Sequence, residues 1–358
     1  MAINLNQLLK VMVQNKASDT HIRGDAPICL RINGLITPVN SSVMTAKEVE
    51  DMVYPLMNPR LRAIFNEKHE VDFSVDGGET GRFRFNVYIQ KTKICVAIRH
   101  IPLKIPTFEE LRLPVESLKK LLVNERGIIL VTGITGSGKT STLAAMVEYL
   151  NAQWETHIIT IEDPIEFVFS DKKSIISQRE VGTDTTSFVD ALRAAMRQDP
   201  DIILVGEMRD LETTKAAITA AETGHLVFAT MHTVNAVQTL SRIVDLYPPH
   251  QQAQVRTQLA ETLKGIVSQR LLPCTQGGRI PAVEILTATA HIKKMIAENN
   301  MEPITAAIAK GAFYGMQSFN QSLVELHKKG LAKLEDIVQS ASNPDDVLLA
   351  IKGIDQEK

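Results

Sequence analysis

Eight consecutive residues, Gly133-Ile134-Thr135-Gly136-Ser137-Gly138-Lys139-Thr140, constrain this chain more than any other feature. They fit the pattern GxxxxGK[ST]. They follow the apolar run Ile128 to Val131 and precede a segment whose Leu143, Met146, Val147 and Leu150 recur at helical spacing. A strand, a glycine-rich loop and a helix in that order make a phosphate cradle. The glycines let backbone N–H groups converge on phosphate oxygens, and the helix N-terminus adds the positive end of its dipole. Lys139 then reaches the β and γ phosphates, and the Thr140 hydroxyl is placed to ligate Mg²⁺. Gly133, Thr135, Gly136, Ser137, Gly138, Lys139, Thr140 and Ser141 are therefore the expected nucleotide-binding residues.

The pattern around this loop is that of an α/β core. Continuous apolar runs at Ile158 to Ile161, Ile202 to Val205 and Leu226 to Ala229, separated by helix-length segments, read as buried parallel strands. Groups at the carboxyl ends of such strands face the ligand crevice. Three acids fall there: Glu162 and Glu166 in Glu162-Asp163-Pro164-Ile165-Glu166, and Glu207 after Val205-Gly206. Glu207 is placed to hold the metal through water or to polarise the attacking water, with Thr140 and Glu166 as further metal candidates. His232, ending the Leu226 to Met231 run, is read as a γ-phosphate sensor. Beyond Pro248 the chain reads as mainly helical, Val255, Leu259, Leu263 and Ile266 keeping one face apolar as far as Leu272-Pro273.

The first hundred residues follow a different grammar. Leu5, Leu8, Leu9, Met12 and Val13 share one helix face, and strands are expected at Ile28 to Ile32, Leu35 to Val39, Val71 to Val75, Arg82 to Gln90 and Lys93 to Arg99. Asn33-Gly34 suits the tight turn between the first two. This is a small α+β module over 1–101, with a Pro-interrupted linker over 102–118 and the P-loop half over 119–358, helical from about 250. Its Arg82, Arg84 and Arg99, with Arg112 in the linker, are candidates to stabilise charge on a transferring phosphoryl group. Alternation sets Arg82 and Arg84 on one strand face and Phe83 and Phe85 on the other.

Composition excludes several classes. Lys plus Arg at 39 against Asp plus Glu at 41 gives a net charge of −2, without the basic footprint of a nucleic-acid binder. Three scattered cysteines, Cys29, Cys95 and Cys274, make neither a disulfide framework nor a zinc site and suit a reducing compartment. No apolar run approaches the roughly 20 residues of a membrane span, and Met1 to Asn4 lack the features of a signal peptide, so a cytoplasmic chain is expected. The charged tail from Asp355 to Lys358 is expected to fray.

Four ordered boxes carry a resemblance. Gly133 to Thr140 matches a Walker A motif, Ile161 to Val168 an aspartate box, Asp201 to Asp210 a Walker B motif and Ala229 to Thr233 a histidine box. With Ala17 to Ile22, Arg31 to Gly34 and Gly81 to Val87, the sequence resembles the PilT and PilU class of type IV pilus retraction ATPases, within the secretion ATPase superfamily. The resemblance implies a RecA-like P-loop core behind a PAS-like domain, in a homohexameric ring holding nucleotide between the two domains. It further implies Mg-ATP hydrolysis that drives pilus retraction and twitching motility through an inner-membrane platform protein, with a paralogous retraction ATPase as a further expected partner. Glu162 or Glu166 is then the candidate base, Glu207 the metal and water ligand and His232 the sensor. Some of Arg82, Arg84, Arg99 and Arg112 contact phosphate. Ala290 to Met295 stands where such chains carry an AIRNL-like helix, and Ser268-Gln269-Arg270-Leu271 looks closer to PilU. A PilU-like accessory motor and a type II or IV secretion assembly ATPase are the alternatives, with a RecA-like nucleic-acid motor or a nucleotide-gated scaffold more remote.

Overall fold

The computed structural model describes residues 4–32, 34–39, 43–101 and 104–352. The chain divides into two compact units. One comprises Met1–Lys104 with Glu166–Val168, the other Ile105–Ile165 with Phe169–Lys358.

The first unit opens with helix α1 (Leu5–Gln14), capped by the Asn4 side chain, which accepts from the Asn6 N–H. Its apolar stripe buries Leu8, Leu9 and Met12. Strands β1 (Asp19–Arg23), β2 (Cys29–Ile32) and β3 (Leu35–Pro38) follow, then α2 (Ala46–Val53), α3 (Pro59–Lys68), β4 (Glu70–Asp76), β5 (Arg82–Gln90) and β6 (Lys93–Ile101). The strands form one antiparallel sheet in the order β3-β2-β1-β6-β5-β4. In β5 the residues Phe83, Phe85 and Val87 are fully buried while Arg82, Arg84 and Asn86 lie on the other face, as the alternation required. Gly34 sits between β2 and β3 with φ +84°. The expected Asn33-Gly34 pair includes Asn33, which lies outside the described residues, as do Pro102 and Leu103 of the linker and the tail from Gly353.

The second unit starts within the stretch read as linker. Phe108, Leu113 and Leu118 are buried in its core, the last on α4 (Val115–Leu122), so these residues are structural parts of the domain. Then come β7 (Gly127–Thr132), α5 (Lys139–Gln153), β8 (His157–Glu162), β9 (Ile175–Glu180), α6 (Phe188–Ala195), β10 (Ile202–Val205), α7 (Leu211–Glu222), β11 (Leu226–Met231), α8 (Ala236–Asp245) and α9 (Gln252–Thr262). They are followed by β12 (Leu263–Pro273), β13 (Arg279–Thr287), α10 (Ala290–Ala297), α11 (Ile304–Lys310), α12 (Phe319–Lys328), α13 (Leu334–Ser340) and α14 (Pro344–Ile351). The sheet order is β13-β12-β7-β11-β10-β8-β9, parallel except for the edge pair β12–β13. Every residue of β7, β10 and β11 is buried, because helices cover both faces.

One expectation fails here. The helix expected to reach Pro273 ends at Thr262, and Leu263 and Ile266 belong to the eleven-residue strand β12. The apolar spacing misled because β12 lies between β7 and β13 and buries residues on both faces, so its pattern lacks the alternation of a half-exposed strand. Helices resume at α10, where Ala290 to Met295 is indeed helical.

Candidate functional site

The loop after β7 has the backbone that its glycines allow. Gly133, Gly136 and Gly138 have φ of +147°, +79° and +93°. A Cβ on Gly133 would lie 2.5 Å from the Gln269 carbonyl oxygen and closer still to Ser137 Oγ, so only glycine fits this turn. Gly138 caps α5, whose first residues are Lys139 and Thr140. Lys139 is buried and donates from Nζ to the carbonyl oxygens of Gly133 at 2.8 Å and Ile134 at 3.1 Å. Burial pushes its ammonium pKa down, and the charge of Glu207 works against that push.

A cleft of about 490 Å³ opens over this loop. Gly136 to Thr142 form one wall, and Leu111, Leu113, Gln269, Leu271 and Arg279 contribute to the others. Two buried polar atoms beside it, Ser137 Oγ and Gln269 Oε1, have no hydrogen-bond partner within the protein. Such orphaned groups fit a cleft that receives a polar, multiply charged ligand. Gln269 is held by donating Nε2 to Thr142 Oγ1 at 2.8 Å, and Arg279 donates to the Gly136 carbonyl oxygen at 3.4 Å. Neither was singled out as a site residue from sequence. Both stand on the β12–β13 hairpin, and reading that stretch as helix hid the strand positions that carry them to the loop.

Walker B and histidine-box residues meet at the adjacent strand ends. Glu207 Oε1 lies 3.2 Å from His232 Nε2, and His232 Nδ1 lies 3.4 Å from Thr135 Oγ1 in the P-loop. Arg209 Nη2 holds the other Glu207 oxygen at 2.6 Å. The sequence placed Arg209 inside the Walker B box without a role, although a cation two residues from the key acid was a usable signal. Glu162 is buried at the end of β8, accepting from Thr160 Oγ1 at 2.6 Å and Gln178 Nε2 at 3.1 Å. Glu166 groups with the first unit. Thr140 and Ser141 line the cleft. Among the described residues no group of three or more His, Cys, Asp and Glu side chains is arranged to hold a metal.

The candidate arginines all have partners. Arg84 Nε lies 3.4 Å from Asp72 Oδ1, and Arg99 Nε donates to Asp19 Oδ1 at 2.9 Å. Arg82 is half-buried at the start of β5, cross-strand from Asp76. Arg112 donates to Cys274 Sγ at 3.0 Å and Gln276 Oε1 at 2.9 Å, which ties the segment before α4 to the β12–β13 turn. These contacts give Arg84, Arg99 and Arg112 a structural role as they stand.

Comparison with known proteins agrees with the geometry. The family model for type II/IV secretion system proteins matches residues 1–337. The type IV pilus retraction ATPase PilT of Pseudomonas aeruginosa is 43% identical over 96% of this chain and 100% of its own length. The type IV pilus ATPase PilU of the same organism is 38% identical over 98% of this chain and 92% of its own length. A crystal structure of the pilus retraction motor PilT with bound ADP superposes with a TM-score of 0.90 at 45% identity, covering 96% of this chain and 98% of that one. The chain belongs to the type II/IV secretion system protein family and, within it, to the type IV pilus retraction ATPases.

Proposed function

We propose that the protein is a Mg-ATP-hydrolysing motor that powers type IV pilus retraction and twitching motility as a homohexamer acting on an inner-membrane platform protein. The observation that carries the catalytic part is the connection Arg209–Glu207–His232–Thr135, which links Walker B, the histidine box and the P-loop in one set of contacts. ATP seats its phosphates on the N–H groups of Gly136 to Thr140, with Lys139 exchanging its loop carbonyls for phosphate oxygens. Thr140 and Glu207, with Glu166 as a further candidate, would hold Mg²⁺ through their oxygens, and the ion would supply neutralisation of charge on the phosphates. Magnesium usually keeps several waters and takes only one or two protein groups, so a sparse donor set suits it.

In this reading Glu207 orients water, His232 reports on the γ phosphate through its contact with Thr135, and Glu162 or Glu166 takes the proton. Glu162 already accepts two hydrogen bonds that fix its carboxylate. Some of Arg82, Arg84, Arg99 and Arg112 leave their present surroundings to meet phosphate, and mixing Arg84→Ala or Arg99→Ala subunits with Lys139→Ala subunits tests whether they act across subunits. The motor works in the cytoplasm, at the membrane through partners. Among the described residues no helix is long and apolar enough to cross a membrane.

The test is deletion in the native host, complemented with wild type or Lys139→Ala, scoring surface pili and retraction together. Excess pili that no longer retract, rescued by wild type alone, support the reading. Normal piliation and retraction would sink the principal-motor role.

A further inference from the structure

The parallel sheet of the second unit has two ends. The nucleotide cleft lies beyond Thr132, the last residue of β7, whereas Arg126 precedes Gly127, the first. Six strand residues, roughly 20 Å at the usual rise, separate them. At the Arg126 end several cations collect. A Cβ on Gly127 would lie 2.5 Å from Lys264 Cε, so the Lys264 stem crosses the start of β7. Lys293 reaches from α10 to the Glu261 carbonyl oxygen at 3.5 Å, at the end of α9 that leads into Lys264. Burial and the charges of Lys293 and Arg126 all push the Lys264 pKa down.

An exposed aromatic turn stands on the same edge. Thr287, paired with Gly265, donates Oγ1 to the Tyr314 carbonyl oxygen at 3.1 Å. Lys120 of α4 donates Nζ to the Phe313 carbonyl oxygen at 3.3 Å. The backbone of the turn is thus pinned to the sheet edge while its rings are left in solvent. Phe313 is 85% exposed and Tyr314 53%, with the rings edge-to-face at 5.2 Å, and Val123 after α4 is 69% exposed. Glu125 and Glu261 flank these segments in sequence, so Lys120, Arg126, Lys264 and Lys293 leave the edge net positive.

We propose that this edge, with Phe313 and Tyr314 at its tip and Lys120, Arg126, Lys264 and Lys293 around it, docks onto an anionic phospholipid surface. Charge complementarity requires an anionic partner. Phe313 and Tyr314, left in solvent beside these cations, select a membrane, where aromatic rings and lysine stems share the headgroup layer. Aromatic rings settle at headgroup depth, and lysine and arginine stems reach the lipid phosphates around them. The surface lies apart from the nucleotide cleft, so the proposal stands or falls independently of the function proposed above.

The test is co-sedimentation of the full chain with phosphatidylglycerol-containing vesicles and with phosphatidylcholine vesicles. Binding to the first alone is expected, and it is lost at about 1 M salt, where the Debye length is about 3 Å. Phe313→Ser/Tyr314→Ser, by loss of buried apolar area, and Lys264→Gln/Lys293→Gln, by loss of two charges near an anionic surface, should each weaken it roughly tenfold or more. Melting temperature and ATP turnover should stay at wild-type values in both. Absence of binding to anionic vesicles at low salt, or equal binding to neutral ones, overturns the proposal. So does undiminished vesicle binding by the aromatic variant together with equal capture of soluble poly-glutamate, which would assign the edge to an acidic protein segment.

Discussion

Strands β5 and β7 both run beside residues expected to do chemistry, and they present them differently. β5 belongs to a sheet half-open on one face, so Arg82 and Arg84 sit along the strand opposite buried Phe83 and Phe85. β7 is buried at all six positions and offers no side chain along its length. Its functional groups begin only where it stops, at Gly133. The same holds for its neighbours, since Glu162, Glu207 and His232 lie at or just past the ends of β8, β10 and β11. A sheet covered on both faces can place chemistry only at strand ends, where the carboxyl ends open on the crevice. A sheet covered on one face can carry it anywhere, at the cost that its charged groups find partners across the sheet, as Arg84 does with Asp72.

The largest effect expected from this contrast is on stability. Phe85 is fully buried and stacked on Phe73 with centroids 5.5 Å apart. Phe85→Ala should cost about 3–5 kcal/mol, while Arg84→Ala on the opposite face should cost under about 1 kcal/mol. Chemical denaturation of both variants measures the gap, and comparable losses would show that the two faces of β5 are not divided as described.

At the end of β7 the expected loss is in activity. Lys139→Ala should lower ATP turnover by about 10²–10³-fold, the scale for removing one preorganised donor from a transition state. It should leave the melting temperature near wild type, because the variant also removes a buried ammonium. A variant that retained most turnover would move the phosphate site elsewhere.

The P-loop and the strands around it were legible because each follows from local rules. A glycine pattern dictates positive φ, and an apolar run bounded by turns dictates a buried strand, so β10 was read residue for residue as Ile202 to Val205. The β12–β13 hairpin was not legible. Its identity as strand depends on β7 beside it and on α4 above it, where a Cβ on Gly265 would meet Leu121 Cδ2 at 2.6 Å. Gln269 and Arg279 were lost to the reading with it. The arginine partners were hidden for a related reason, since Asp19 and Asp72 are assigned to Arg99 and Arg84 by sheet register, which single-strand patterns do not specify.

Smaller effects sharpen the claim that strand ends are where geometry is tightest. Gly133→Ala should cost about 1–3 kcal/mol and abolish nucleotide retention, because its Cβ has no room and its φ is strained. Gly136→Ala, with φ +79° and nothing within 4 Å of the added carbon, should pay backbone strain alone, about 1–2 kcal/mol. Equal binding of a fluorescent ATP analogue by both would refute the crowding argument. Arg209→Ala should lower kcat roughly tenfold with KM unchanged, as expected for a group that orients Glu207 without reacting, and Arg209→Lys should recover part of the loss. A rise in KM instead would place Arg209 on the nucleotide.

The smallest effect concerns Glu284, a buried acid on β13 that accepts the Ala236 N–H at 2.8 Å, where α8 begins after the histidine box. Burial pushes its pKa up, with the Ala236 hydrogen bond and the Arg270 charge working against that push. The folded state therefore holds this proton more tightly than the unfolded chain, whose ordinary glutamate pKa is about 4.3. Folding is then penalised above that ordinary value, and the penalty fades as pH falls below it. Glu284→Gln keeps an oxygen for the Ala236 N–H and removes the charge. At neutral pH its stability should equal or exceed wild type, by an amount on the order of 1 kcal/mol, and the difference should shrink toward pH 4. A variant less stable at neutral pH, whose deficit closes on acidification, would mean that the Arg270 charge outweighs burial. The β13 end of the sheet would then hold a stabilising ion pair in place of a costly buried acid.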